Sequence, residues 1–132
     1  PTIFAMEAVA AWLGESSTGG RMLTTGLENT AAALGAALDA GVAVLAGTDL
    51  ALPHGQVATE ALRLAEYGLS ATQAVDAVSD AAYRYLQIDS GFEPGGPADA
   101  VFFAADPTRD LQQLLEPVIV IRAGSVVVGS IA

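Results

Sequence analysis

Apolar positions recur along this chain in two rhythms, and the change from one to the other divides it. Between residues 27 and 40, Leu27, Ala31, Leu34 and Leu38 recur at helical spacing, which predicts a helix with one buried stripe. Gly41 follows as its stop, since glycine tolerates the left-handed conformation at a helix end. Residues 42–46 (Val-Ala-Val-Leu-Ala) are apolar without alternation, as in a short strand covered on both faces. A second helix is predicted over 56–67, with Val57, Ala61, Leu64 and Ala65 inward and Gly68 ending it. Ser70-Ala71-Thr72-Gln73 is a capping box. It opens a third helix to about Tyr85, with Ala74, Val78, Ala81 and Tyr85 on one face.

The ends of the chain read differently. Residues 1–13 are apolar and suit a strand end entering a helix. Residues 14–26 are rich in Gly, Ser and Thr and predict a mobile surface loop. From Asp89 to Pro97 the chain is turn chemistry, and residues 100–104 form a short apolar strand. Asp106-Pro107 turns into a brief segment over 111–115. Residues 118–121 and 126–128 flank Arg122-Ala123-Gly124-Ser125 as a hairpin. Helix, strand, helix in this order is the α/β pattern built by crossovers. Two parts result, 1–88 and 89–132.

The placement of one charge then matters. Asp49 follows the apolar run on a small turn, Gly47-Thr48-Asp49. That is the carboxyl end of a buried strand, where α/β folds build their sites. The sole histidine, His54, lies in the Pro53-His54-Gly55 that follows. On position alone Asp49 reads as well as a cap, or as an acceptor for loop amides, as it does as a reactive group.

Composition narrows the chemistry. Of the 132 residues 52% are hydrophobic and 15% charged, so the chain can bury a core, and part of its surface is expected to be covered. A net charge of −10 with only 5 basic residues argues against nucleic acid as a partner and against an anionic membrane surface. No cysteine is present, which removes disulfides, thiolate metal sites and cysteine nucleophiles. No apolar stretch approaches the ~20 residues of a membrane helix. Pro1-Thr2-Ile3-Phe4 lacks the features of a signal peptide, so a cytoplasmic location is expected. An opening proline also suggests a fragment or a processed chain.

Several short motifs in order carry a family resemblance. They are Pro1-Thr2-Ile3, Gly41 to Asp49, Gly68-Leu69-Ser70-Ala71-Thr72-Gln73-Ala74 and Ala77-Val78-Ser79-Asp80-Ala81-Ala82. Gly91-Phe92-Glu93-Pro94-Gly95-Gly96-Pro97-Ala98-Asp99, Asp106-Pro107 and the final hairpin complete the set. Together they resemble the carboxyl-terminal third of the amidohydrolase superfamily.

The resemblance implies the last strands and helices of a (β/α)8 TIM barrel over 1–88. Part of a small β-sandwich domain would follow over 89–132, completed by amino-terminal strands. It implies a metal-dependent hydrolase of amide or cyclic amide C–N bonds in small molecules. Asp49 would be both metal ligand and catalytic proton acceptor, beside one or two divalent ions, zinc in the first instance. The other ligands would come from a missing amino-terminal part of the same protein, so the chain alone would be inactive.

His54 is read as a substrate-loop residue at the barrel mouth, and a purely structural role reads as well. Asp99 reads as a turn or packing residue. Glu60, Glu66 and Asp76 read as solvated helix faces. A homo-oligomer is compatible with this reading, and the competing one is a non-catalytic α/β association module.

Overall fold

The computed structural model describes residues 1–49, 55–89 and 94–130. Among the described residues five helices and three strands follow in order, α1 Ile3–Leu13, α2 Thr18–Asp39, α3 Val57–Glu66, α4 Ala71–Ala77, α5 Asp80–Leu86, β1 Ala100–Phe102, β2 Ile119–Arg122 and β3 Ser125–Val128. A 3-10 turn, Leu111–Leu115, lies between β1 and β2. No helix among the described residues is long and apolar enough to cross a membrane.

The expected loop over 14–26 is largely helix, because α2 begins at Thr18. Ser17 caps it, its hydroxyl oxygen accepting from the Gly20 amide at 2.9 Å. Gly20 is present for room rather than for looseness. A Cβ there would overlap the Gly14 carbonyl oxygen, so only glycine lets the first turn of α2 reach the end of α1. Thr24 and Thr30 donate their hydroxyls to the Gly20 and Gly26 carbonyls inside the helix and leave no polar group stranded. The far end of α2 is a Schellman motif. Gly41 (φ 72°) donates to Leu38 and Val42 donates to Ala37.

The third predicted helix is two helices. Both halves of the Ser70–Gln73 capping box form and open α4. The helix then breaks at Val78-Ser79, where the Ala77 carbonyl, free of its helical partner, accepts from the Ala46 amide at 3.0 Å. Ala74 and Ala81 are buried as the periodicity predicts and Val78 is half-buried, whereas Ala77, not placed inward by that reading, is buried and Tyr85 is 67% exposed. Val57, expected inward, is likewise exposed in the first turn of α3.

Residues 42–48, predicted to contain a strand, carry no assigned strand. The run is held by the Ala46–Ala77 bond and by one from Gly47 to Pro1, not by a ladder. Val44 and Ala46 still pack on the core of Ile3, Leu27, Leu34, Ala61, Leu64, Leu69, Ala74 and Ala77. Leu111 and Leu114 join that core from the 3-10 turn and attach the strand-rich end to the helices.

The three strands form one antiparallel sheet in the order β1-β2-β3, with Val101 opposite Val120 and Ile121 opposite Val126. A bulge at Val120/Ile121 shifts the register between β2 and β3. The turn joining them places Ala123 and Gly124 both at positive φ, 48° and 76°. Asp99 accepts from the Ala123 amide at 2.6 Å, and Gly124 donates to the Ala98 carbonyl at 2.9 Å. Asp99 is therefore the brace of a turn.

Candidate active-site corner

Asp49 ends the run 42–48, exposed, with φ 51°. Few residues other than glycine accept the left-handed region, and aspartate does so more readily than most because its short side chain bonds locally. The backbone thus turns sharply at the point where it leaves the core, and the carboxylate stands in solvent.

The run is fixed two residues earlier. The Gly47 amide donates to the Pro1 carbonyl at 2.8 Å. A Cβ on Gly47 would lie 3.0 Å from Thr2 Cγ2 and 3.2 Å from the Pro1 oxygen, so the two segments touch with no spare space. Pro1 and Thr2 lead directly into α1. The position of the Asp49 turn is therefore tied to the start of that helix.

Glu60 governs that start. It is fully buried in α3, and its two carboxylate oxygens accept from the amides of Ile3 and Phe4, each at 2.8 Å. Thr2, the residue at the helix cap, makes no side-chain cap bond, and the first turn of α1 has no acidic residue of its own. A carboxylate from another helix satisfies two of the amides a helix start leaves unpaired and meets the positive end of its dipole. The expectation of a solvated Glu60 is wrong. The signal was present in the sequence, since position 60 adjoins the stripe of Ala61 and Leu64.

A second tie between the same helices runs one turn along. Arg63 Nε lies 2.7 Å from Glu7 Oε2, and the Arg63 guanidinium also donates to Glu66 at 2.7 Å. The hydrogen bond to Glu66, with the Glu7 charge, raises the Arg63 pKa against the opposing effect of burial. The Tyr67 hydroxyl donates to Glu7 Oε1 at 3.2 Å. Burial and then the Glu7 charge push the Tyr67 phenol above its usual value. Together α1 and α3 are joined along a seam from Glu60 to Tyr67.

Of the residues predicted to form the site, Asp49 stands at the end of the run 42–48, which is not a strand, and His54 lies outside the described residues. Glu66 is exposed, and Asp76 pairs with Arg84. Among the described residues no three of His, Cys, Asp and Glu gather as a metal site. A catalytic zinc takes three protein ligands. One carboxylate at Asp49 does not meet that need, so the described residues do not by themselves fit a metal. A cavity of about 450 Å³ opens elsewhere, between the start of the run and α4–α5, lined by Leu38, Val42, Gln73, Asp76 and Arg84.

The model of the amidohydrolase family matches residues 18–127. No curated protein sequence matches the chain. Among solved structures, an Xaa-Pro dipeptidase with methionine bound in its active site is 25% identical with a TM-score of 0.79, covering 98% of this chain and 34% of that one. An amidohydrolase is 21% identical with a TM-score of 0.81, covering 100% and 34%. The ochratoxinase of A. niger is 24% identical with a TM-score of 0.78, covering 97% and 31%. The chain therefore spans about a third of the length of these structures. With the family model matched over most of its length, the chain belongs to the amidohydrolase family.

Proposed function

We propose that this chain is the carboxyl-terminal portion of a cytoplasmic, metal-dependent hydrolase that cleaves an amide or cyclic amide C–N bond in a small molecule. The observation that carries the reading is Asp49, a solvent-facing carboxylate on a left-handed turn at the end of a core-packed run, in a chain of this family. Residues 1–88 would complete the barrel, and 89–132 would supply strands of a small β-sandwich. The similar solved structures, about three times longer, are consistent with a further part of the same protein, which this reading places at the amino-terminal side.

Asp49 would take a proton from the attacking water and return it to the leaving nitrogen. Placement at an exposed turn leaves it open to both. A metal, zinc in the first instance and one or two ions in number, would polarise the scissile carbonyl and acidify water, as such ions do. The described residues offer it one ligand, so the others are assigned to the amino-terminal part. His54 is assigned to substrate binding on its place five residues after Asp49. The dipeptidase among the similar structures makes Xaa-Pro dipeptides the first substrates to try.

The test is turnover of an Xaa-Pro and N-acyl amino acid panel by the intact protein, alongside its Asp49→Asn variant, with metal content measured in both. A fall of about 10²–10⁴-fold is expected, the usual contribution of a proton-transfer group. Near-normal turnover in the variant overturns the assignment. No turnover in either protein and no bound metal favour the association-module reading.

A further inference from the structure

The Glu60 carboxylate is buried with no basic side chain paired to it among the described residues. Its partners are two backbone amides, Ile3 and Phe4. Burying a carboxylate is costly even when it is bonded, and a helix start can be capped at far lower cost by Ser, Asp or Asn on the surface. If α1 needed only a cap, residue 2 could supply it. Thr2, a competent capping residue, forms no such bond.

A carboxylate reaching from α3 does something a local cap cannot. Its paired oxygens fix the first turn of α1 against a second helix, in both position and direction. The backbone before that turn is Pro1-Thr2, and it carries the acceptor for the Gly47 amide. The contact between Thr2 and Gly47 is tight enough that a methyl group on residue 47 would press on Thr2 Cγ2 at 3.0 Å and on the Pro1 oxygen at 3.2 Å, so a shift of one segment is felt by the other. Asp49 lies two residues past this contact. On the far side the run has the Ala46–Ala77 bond, so the Gly47–Pro1 bond is the last backbone tie before Asp49 among the described residues.

We infer that Glu60 is a positioning residue for Asp49, acting through the first turn of α1 and the Pro1–Gly47 hydrogen bond. The inference rests on the reading of Asp49 as the proton-transfer group. It predicts a chemical effect of a residue that does not face the substrate, and it assigns the buried charge a purpose beyond stability. Both oxygens accept from N–H groups. An amide in place of the carboxylate therefore sets its NH2 against one of those donors, with the side-chain volume nearly unchanged.

The experiment uses the intact protein, its Glu60→Gln and Glu60→Asp variants, and Leu64→Ala as a control that loosens the shared core of Ile3 and the run while keeping every hydrogen bond of the relay. Two quantities are read below the melting transition of every variant. They are kcat and KM on whichever substrate of the panel is hydrolysed fastest, and hydrogen–deuterium exchange of the amides over residues 42–49. Glu60→Gln is expected to lower kcat about 10–100-fold with KM within about threefold, since misplacement on the order of 1 Å costs about 10² in rate. Exchange at Gly47 should rise at least tenfold in the same variant. Leu64→Ala should lower the melting temperature with neither change. In the Asp49→Asn background, Glu60→Gln should lower the residual rate by less than twofold.

An unchanged Gly47 exchange in Glu60→Gln overturns the relay, whether or not a substrate has been found. So does a kcat within twofold of the parent while Asp49→Asn is inactive. An active Asp49→Asn instead overturns the proton-transfer reading, and the exchange data then still decide whether Glu60 holds the run.

Discussion

Gly47 donates its amide to the carbonyl of Pro1 at 2.8 Å, and it does so with Thr2 Cγ2 3.0 Å from where a Cβ would stand. The hydrogen bond and the missing side chain are one requirement, because the segments reach bonding distance only if nothing projects from residue 47. Replacement by alanine makes Thr2 Cγ2 and the Pro1 carbonyl give way by a few tenths of an ångström at the bond that ties the run to α1. Gly47→Ala should destabilise the intact protein by ~1–3 kcal/mol, the usual range for overpacking, and reduce turnover in the folded fraction. Urea unfolding with parallel activity measurements checks both.

The turn at Asp49 separates a backbone requirement from a chemical one. At φ 51° alanine pays a left-handed penalty of roughly 1–2 kcal/mol, while asparagine and glycine accept the conformation. Asp49→Asn and Asp49→Gly should therefore melt close to the parent, and Asp49→Ala below it. Turnover should be lost in all three. Equal melting temperatures across the set, measured by calorimetry, would count against the strained turn.

The parts of this fold that could be read in advance are those where a local rule and the packing agree. Ser70-Ala71-Thr72-Gln73 caps α4 in both directions, and Leu27 and Leu34 are buried on the stripe their spacing predicts. The misses come from long-range partners. Gly19-Gly20 looks like loop composition until the end of α1 is placed against it. Glu60 looks solvated until the amides of Ile3 and Phe4 appear, because a charged residue beside an apolar stripe has no local sign of what it will bond. Tyr85 fails at the last turn of α5, where it stands 67% exposed although Ala81 one turn earlier in the same helix is buried. At the candidate site, Asp49 was legible from the apolar run before it, whereas the means of holding it were not.

Tyr67 gives a pH dependence with a definite sign. Its phenol titrates above the usual value, through burial first and the Glu7 charge second. A raised folded-state pKa means that the folded protein holds the proton more tightly than the unfolded chain. The stabilisation is complete below the ordinary phenol value near 10 and is lost as pH rises through the folded value. Melting temperature should fall more steeply above about pH 10 in the parent than in Tyr67→Phe, where this titration is absent. Ultraviolet titration of phenolate in the two proteins assigns the difference to this tyrosine, and identical alkaline slopes would refute it.

The hairpin turn offers the opposite outcome, a gain. Ala123 and Gly124 sit at φ 48° and 76°, the positive pair that a two-residue turn of the type favoured by Asn-Gly demands. Alanine is poorly suited to the first position, and Asp99 compensates by accepting its amide at 2.6 Å. Asparagine at 123 takes the left-handed conformation readily and keeps that amide, so Ala123→Asn should stabilise by up to about 1 kcal/mol. Asp99→Ala should destabilise by ~1 kcal/mol or more, because the strained turn loses its brace. The two residues share one bond, so the cost of Asp99→Ala should shrink in the Ala123→Asn background. A double-mutant cycle by urea unfolding measures the coupling, and strict additivity would mean that Asp99 does not hold the turn.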